Sequence, residues 1–140
     1  MGTIPIINIP AIGIALMTTP EALLPLTPLS LAILLALAEE DRHGYALLQE
    51  IERESEGRIR AGTGTLYAAL QRLSDEGLIE ERRAAAGVDA RRRYYGITAL
   101  GREVARAELR RLRRLLDLAA EKKVARGLRL TEPRRRGTSS

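Results

Sequence analysis

The chain has 140 residues, with 23 Lys and Arg against 18 Asp and Glu, a formal charge of +5 and a pI near 10.2. That balance favours an anionic partner without naming one. With no Cys, no Phe, no Trp and a single His, thiol catalysis, disulfides and zinc fingers are excluded, a multi-His metal site has no ligands, and the core must be built from Leu, Ile, Val and Ala with tyrosines at its edges.

The length suits one domain with extensions. Glu21, Glu39, Glu40 and Asp41 are the only charged residues before Arg42, so the rest of the chain carries +9. Few aromatics also argue against a grip on single-stranded nucleic acid, which relies on stacking.

Residues 1–25 are expected to be a flexible apolar leader, broken by Pro5, Pro10 and Gly13. It lacks the basic start of a secretory signal and is too short to span a bilayer. Met17 offers an alternative start, so residues 1–16 need not belong to the mature chain. Thr27 and Pro28 form a strong helix start, as N-cap and first helical residue. Leu29 to Ala38 is apolar nearly all round, which predicts a central helix buried on several sides. Asp41 to Gly44 reads as a turn, with His43 as a capping residue rather than a ligand. Tyr45, Leu47, Leu48 and Ile51 mark a second, amphipathic helix to about Ser55, ended by Gly57, and Arg58-Ile59-Arg60 reads as a short strand pairing with a later hairpin.

A third helix is expected from Thr63, its N-cap, to Glu76, stopped by Gly77, with Leu66, Leu70 and Leu73 on one face. The opposite face holds Gly64, Tyr67, Ala68 and Gln71, with Arg72 at its flank, and no acidic residue. Small residues let the backbone approach a partner, while Thr65, Tyr67 and Gln71 offer hydrogen bonds. A helix entering a DNA major groove needs that combination. An ordinary solvated face is the plain alternative for this helix alone.

Leu78 to Arg83 and Arg91 to Ile97 read as two strands joined by the loop 84–90. Tyr95 and Ile97 share one face, Tyr94 takes the other, and Arg91, Arg92 and Arg93 stand at the hairpin end. Three arginines can simply guard an edge strand; beside a helix of this kind, phosphate contact is the better assignment, since no acid lies closer in sequence than Asp89. Thr98 then caps a long helix to about Arg126. Ala105, Leu109, Leu112, Leu116, Ala119 and Lys123 follow an a/d spacing, widened by Leu115 and Leu118. That stripe is longer than a small core can cover, so its first part is expected to pack on the domain and its last part on a second copy. Residues 127–140 read as a disordered basic tail.

The stretches Leu26-Thr27-Pro28-Leu29, His43-Gly44-Tyr45, Gly64 to Leu70, Gly77-Leu78-Ile79-Glu80, Arg93 to Thr98 and Leu100-Gly101 resemble the PadR-like transcriptional regulators, in register over about 100 residues. The resemblance implies bacterial winged-helix repressors that dimerise through C-terminal helices, with a recognition helix over 63–76, a wing over 78–97 and a dimer helix after Thr98. The single last helix resembles the family's shorter branch, whose effector pocket, where one exists, lies at the dimer interface. Gln71 stands where the family often has Lys or Arg, which weakens the contact expected there. Gly96 replaces a larger residue, which implies a less well packed inner end of the wing.

The sequence therefore predicts a mainly α fold with a small β-hairpin: a winged helix-turn-helix over 26–97 and a dimerisation helix over 98–126. The expected function is a cytoplasmic, homodimeric, sequence-specific regulator, most simply a repressor, binding a palindromic operator in double-stranded DNA. Thr63, Thr65, Tyr67, Gln71, Arg72, Arg91, Arg92 and Arg93 are the candidate DNA contacts, and Leu109, Leu112, Leu116 and Ala119 the candidate dimer contacts. No cofactor, catalytic residue, metal or membrane is called for, and a small-molecule effector at the dimer interface is left open. The competing expectation is a winged-helix interaction module that dimerises without specific DNA binding.

Overall fold

The computed structural model describes residues 19–83, 92–122 and 124. Residues 1–18 of the expected leader, the loop 84–90 with Arg91, Lys123 and the tail lie outside the described residues. The elements are a 3₁₀ turn Pro20–Leu23, α1 Pro28–Glu39, β1 Arg42–His43, α2 Gly44–Glu54, α3 Thr63–Asp75, β2 Ile79–Arg82, β3 Tyr94–Ile97 and α4 Ala99–Glu121. The chain divides into two compact units, Met1–Glu108 and Leu109–Ser140, the boundary falling inside α4 rather than at residue 98.

Helix α1 begins as its sequence dictates, with the Thr27 hydroxyl accepting the Ser30 backbone N–H at 3.0 Å and Pro28 in the first turn. Having little polar surface, it sits in the core: Ser30, Ile33, Leu34, Ala36 and Leu37 are buried. Leu47 and Ile51 of α2, Leu66, Leu70 and Leu73 of α3, Leu78, Ile79, Tyr95 and Ile97 of the sheet, and Val104 and Ala105 of α4 complete that core. The leader expectation needs correcting at its end. Leu23, Leu24 and Leu26 pack against the core, and the Leu26 backbone N–H donates to the Glu108 carboxylate at 3.0 Å. The packed domain thus begins upstream of residue 26, because three leucines close together gain more by burial than by exposure.

The third strand is not where the sequence placed it. Residues 58–60 are not a strand; Arg42–His43 pairs antiparallel with β3 instead, giving the order β1-β3-β2. Arg42 lies opposite Tyr95 and His43 opposite Tyr94, while on the other side Ile79 faces Ile97 and Arg82 faces Tyr94. What read as a turn before α2 is extended backbone that fills the open edge of β3. Both wing strands are shorter than the expected 78–83 and 91–97, and α4 ends at Glu121, short of Arg126.

Helix α3 is closed by a Schellman arrangement. Gly77 has φ +78°, the Leu78 N–H reaches the Leu73 carbonyl at 2.9 Å, and the Gly77 N–H reaches Ser74 at 3.0 Å. Thr98 links this end to α4: its hydroxyl donates to the Gly77 carbonyl at 2.6 Å and accepts the Gly101 N–H at 3.0 Å. Gly101 is required there, since a Cβ would strike the Leu78 carbonyl and the Ile97 side chain.

The expected gap at Gly96 is filled. The Arg82 guanidinium crosses from β2 over Gly96, where any Cβ would collide with it. It donates to the Ile97 carbonyl at 2.8 Å and pairs with Asp41 and Glu80, each at 3.0 Å. Glycine makes room for a clamp across all three strands.

Candidate nucleic-acid interface

Helix α3 carries its two faces as the leucine spacing demands. Leu66, Ala69, Leu70 and Leu73 are buried, while Thr63, Gly64, Thr65, Tyr67, Ala68, Gln71 and Arg72 are exposed. Gly62, not Thr63, is the N-cap, and no side chain caps the helix. Thr63 is therefore the first helical residue, its side chain exposed at the mouth of the helix. A Cβ on Gly62 or Gly64 would meet nothing within 4 Å, so the space over this end is open. The first turn holds no acid, leaving the positive end of the helix dipole uncompensated and able to receive a phosphate.

The polar residues of this face are not all idle. The Gln71 amide donates to Asp75 at 2.9 Å, one turn on. Arg72 donates to the Ser30 hydroxyl at 3.3 Å, which ties the flank of α3 to α1. Tyr67, 42% exposed, leans its phenol over Gly44, and a Cβ there would collide with it. That contact gives a physical reason for glycine in the His43-Gly44-Tyr45 stretch: the first turn of α2 must be bare for Tyr67 to lie on it.

Two more cations flank α3 that the sequence reading used only as strand residues. Ile59 packs on the core and its N–H is held by the Ser55 hydroxyl at 2.9 Å, so Arg58 and Arg60 both project outward just before the helix. Arg60 pairs with Glu52 at 3.1 Å. The alternation of Arg, Ile and Arg was the available signal; it reports a buried anchor between two exposed cations, which a loop satisfies as well as a strand does.

The wing arginines were expected to lack acidic partners, and folding corrects this. Arg93 lies 3.8 Å from Glu81 across the hairpin, with both side chains more than half exposed. Such a pair contributes little and exchanges readily for another anion. Arg92 places Nη1 2.8 Å from Nε2 of His43. Arg91 lies outside the described residues. His43 caps α2, its Nδ1 accepting the Ala46 N–H at 3.3 Å, as expected for a histidine ahead of a helix. Burial, and secondarily the Arg92 charge, hold its pKa below the usual histidine value.

In the second unit, Leu109, Leu115, Leu116 and Leu118 are each 44–47% exposed. Leu112 and Ala119 are half-buried. Ala105, the first member of the seam, belongs to the core of the first unit. Among the described residues there is no group of side chains able to hold a metal, and no helix is long and apolar enough to cross a membrane.

The model of the transcriptional regulator PadR-like family matches residues 33–107. An uncharacterized protein of Lysinibacillus sphaericus is 37% identical over 70 residues, which make up 50% of this chain and 64% of that one. The chain thus spans less than two thirds of the length of this curated relative. Among solved structures, a PadR family transcription regulator from Clostridium difficile R20291 aligns with a TM-score of 0.59 at 21% identity, over 69% of this chain and 98% of that one. At that identity the likeness speaks for the fold alone. Bacillus subtilis PadR, solved in complex with operator DNA, aligns with a TM-score of 0.53 at 27% identity, over 61% of this chain and 48% of that one. The family match takes in α1 from Ile33, the helix-turn-helix, the wing and the start of α4, and the chain belongs to the PadR-like family of transcriptional regulators, a family of regulators and not of enzymes.

Proposed function

We propose that this protein is a cytoplasmic, homodimeric transcriptional regulator that binds a palindromic operator in double-stranded DNA and represses from it. The observation that carries the reading is the exposed face of α3, which is free of acid and open over Gly62 and Gly64. The B. subtilis relative, solved in complex with operator DNA, supports the same use of the fold.

In this reading α3 enters the major groove from its N-terminal end. Thr63, Thr65, Tyr67 and Gln71 meet base edges, where a good contact gives about 1–3 kcal/mol of discrimination. Gln71 has to release Asp75 to do so. Arg72, the wing arginines Arg91, Arg92 and Arg93, and Arg58 and Arg60 supply phosphate contacts, which position the helix and set the salt dependence. The exposed leucines of α4 pair two copies through Leu109, Leu112, Leu116 and Ala119, placing two α3 helices on one palindrome. The same dimer interface is where a small-molecule effector would be sought.

The test is a titration of the DNA upstream of the protein's own gene at two salt concentrations, beside unrelated DNA of equal length. The reading requires tighter, salt-dependent binding to the upstream DNA, and raised transcription of a reporter driven by it when the protein is removed. Equal affinity for both DNAs sinks the sequence-specific regulator, and absence of any binding leaves the winged-helix interaction module in its place.

A further inference from the structure

His43 stands where three elements meet. It is the last residue of β1, the N-cap of α2 and the ladder partner of Tyr94 on β3. The Tyr94 and His43 rings pack edge to face, with centroids 5.4 Å apart and planes at 86°. One ring nitrogen accepts from Ala46 and the other faces Arg92.

The proton count around this ring does not close. A backbone amide and a guanidinium can only donate, and a neutral imidazole has one accepting nitrogen. With Nδ1 committed to the α2 cap, the ring proton sits on Nε2, and two N–H donors confront each other across 2.8 Å. In the other tautomer the same conflict moves to the Ala46 amide. Protonating the ring leaves neither nitrogen able to accept, and the lowered pKa keeps that form unpopulated at neutral pH. An anionic oxygen beside Nε2 and the guanidinium resolves the conflict, because it accepts from both.

We infer that His43, as the Nε2–H tautomer, and Arg92 together hold one backbone phosphate of bound DNA. The inference rests on the DNA-binding reading above and adds a site to it. An exposed arginine alone supplies charge without direction. His43 supplies direction, since its ring is held by the α2 cap on one side and by Tyr94 on the other. The next residue, Gly44, carries the Tyr67 phenol of α3. A phosphate held here is therefore tied to the placement of the recognition helix.

His43 is the single histidine of the sequence, so its imidazole ¹⁵N signals need no assignment. In the labelled full-length protein the free ring should be the Nε2–H tautomer. Adding the upstream duplex should shift the Nε2 signal, and the shift should be lost in Arg92→Ala. His43→Asn keeps a side-chain oxygen for the cap but removes the second donor. It should bind the duplex about tenfold more weakly, the loss of a hydrogen bond to a charged group, with the salt slope unchanged. Arg92→Ala should flatten the slope by about 0.9 per contact. The combined variant should fall short of the product of the two effects, because both donors serve one phosphate. An Nδ1–H ring, a His43→Asn protein that binds like the wild type, or inorganic phosphate shifting Nε2 as strongly as the duplex does would each overturn this site while leaving the DNA-binding reading intact. A wild-type protein that binds no duplex overturns both.

Discussion

Replacing Leu109 and Leu116 together with Glu tests the dimer and, through it, operator binding. The two residues are seven apart and share one face of α4. They are 45% and 44% exposed, so a little under half of each side chain remains to be buried by a partner. Burying a whole leucine is worth roughly 1.5–3 kcal/mol, which leaves about 0.7–1.3 kcal/mol per residue here and about 3–5 kcal/mol over the four copies in a dimer. At about 1.4 kcal/mol per decade, the dissociation constant should rise between about a hundredfold and a few thousandfold. Facing glutamates add repulsion to that loss. Sedimentation velocity at micromolar concentration should show the wild type as a dimer and the double variant as a monomer, with helix content unchanged by circular dichroism. Operator affinity should fall with it, since two half-sites are no longer held by one particle. A wild-type protein that sediments as a monomer at that concentration refutes the reasoning, and so does a double variant that remains a dimer.

Gly101→Ala should lower stability by more than about 2 kcal/mol in a denaturant titration, because the new methyl strikes the Leu78 backbone, which cannot swing aside as a side chain could. Truncating the chain to start at Thr27 should cost about 2 kcal/mol or more relative to a start at Thr19, since it strips Leu23, Leu24 and Leu26 from the core; equal melting temperatures would return these residues to the leader. His43 has a lowered pKa in the folded state, so its contribution to stability is present above the unfolded value near 6.5 and is lost as pH falls through the folded value. A stability profile should decline below about pH 6.5, ahead of the carboxylates, and His43→Asn should remove that step. Arg93→Ala should weaken binding to upstream and unrelated DNA alike and flatten the salt slope by about 0.9 per contact, whereas Gln71→Ala should reduce upstream-DNA affinity alone; slopes and specificities that move the opposite way would reverse the assigned roles.

The helices were legible in the sequence because their causes are local. Thr27 and Pro28 start α1, the Leu66, Leu70 and Leu73 spacing defines the inner face of α3, and Gly77 and Thr98 mark an end and a beginning. Caps and 3.6-residue periodicity act within a few residues, so a chain read in one dimension contains them. The partner of β3 was not legible in this way. Residues 42–43 and 58–60 are both short stretches next to helices, and which of them pairs with β3 depends on which one the packed helices bring to its edge. The wing arginines were placed correctly in sequence but not in company, since Glu81 and His43 approach them only when β2 and β1 flank β3. Gly96 read as a loss of packing until Arg82 was seen to occupy its place, and Tyr67 read as a free hydrogen-bonding group until Gly44 was seen beneath it. What the chain determines by itself is where each helix starts, stops and turns its apolar face. Which donors meet which acceptors, and which of them are left facing one another, as His43 and Arg92 are, was decided only by the tertiary structure, because hydrogen bonds and ion pairs act over about 3–4 Å between residues whose separation along the chain carries no record of it.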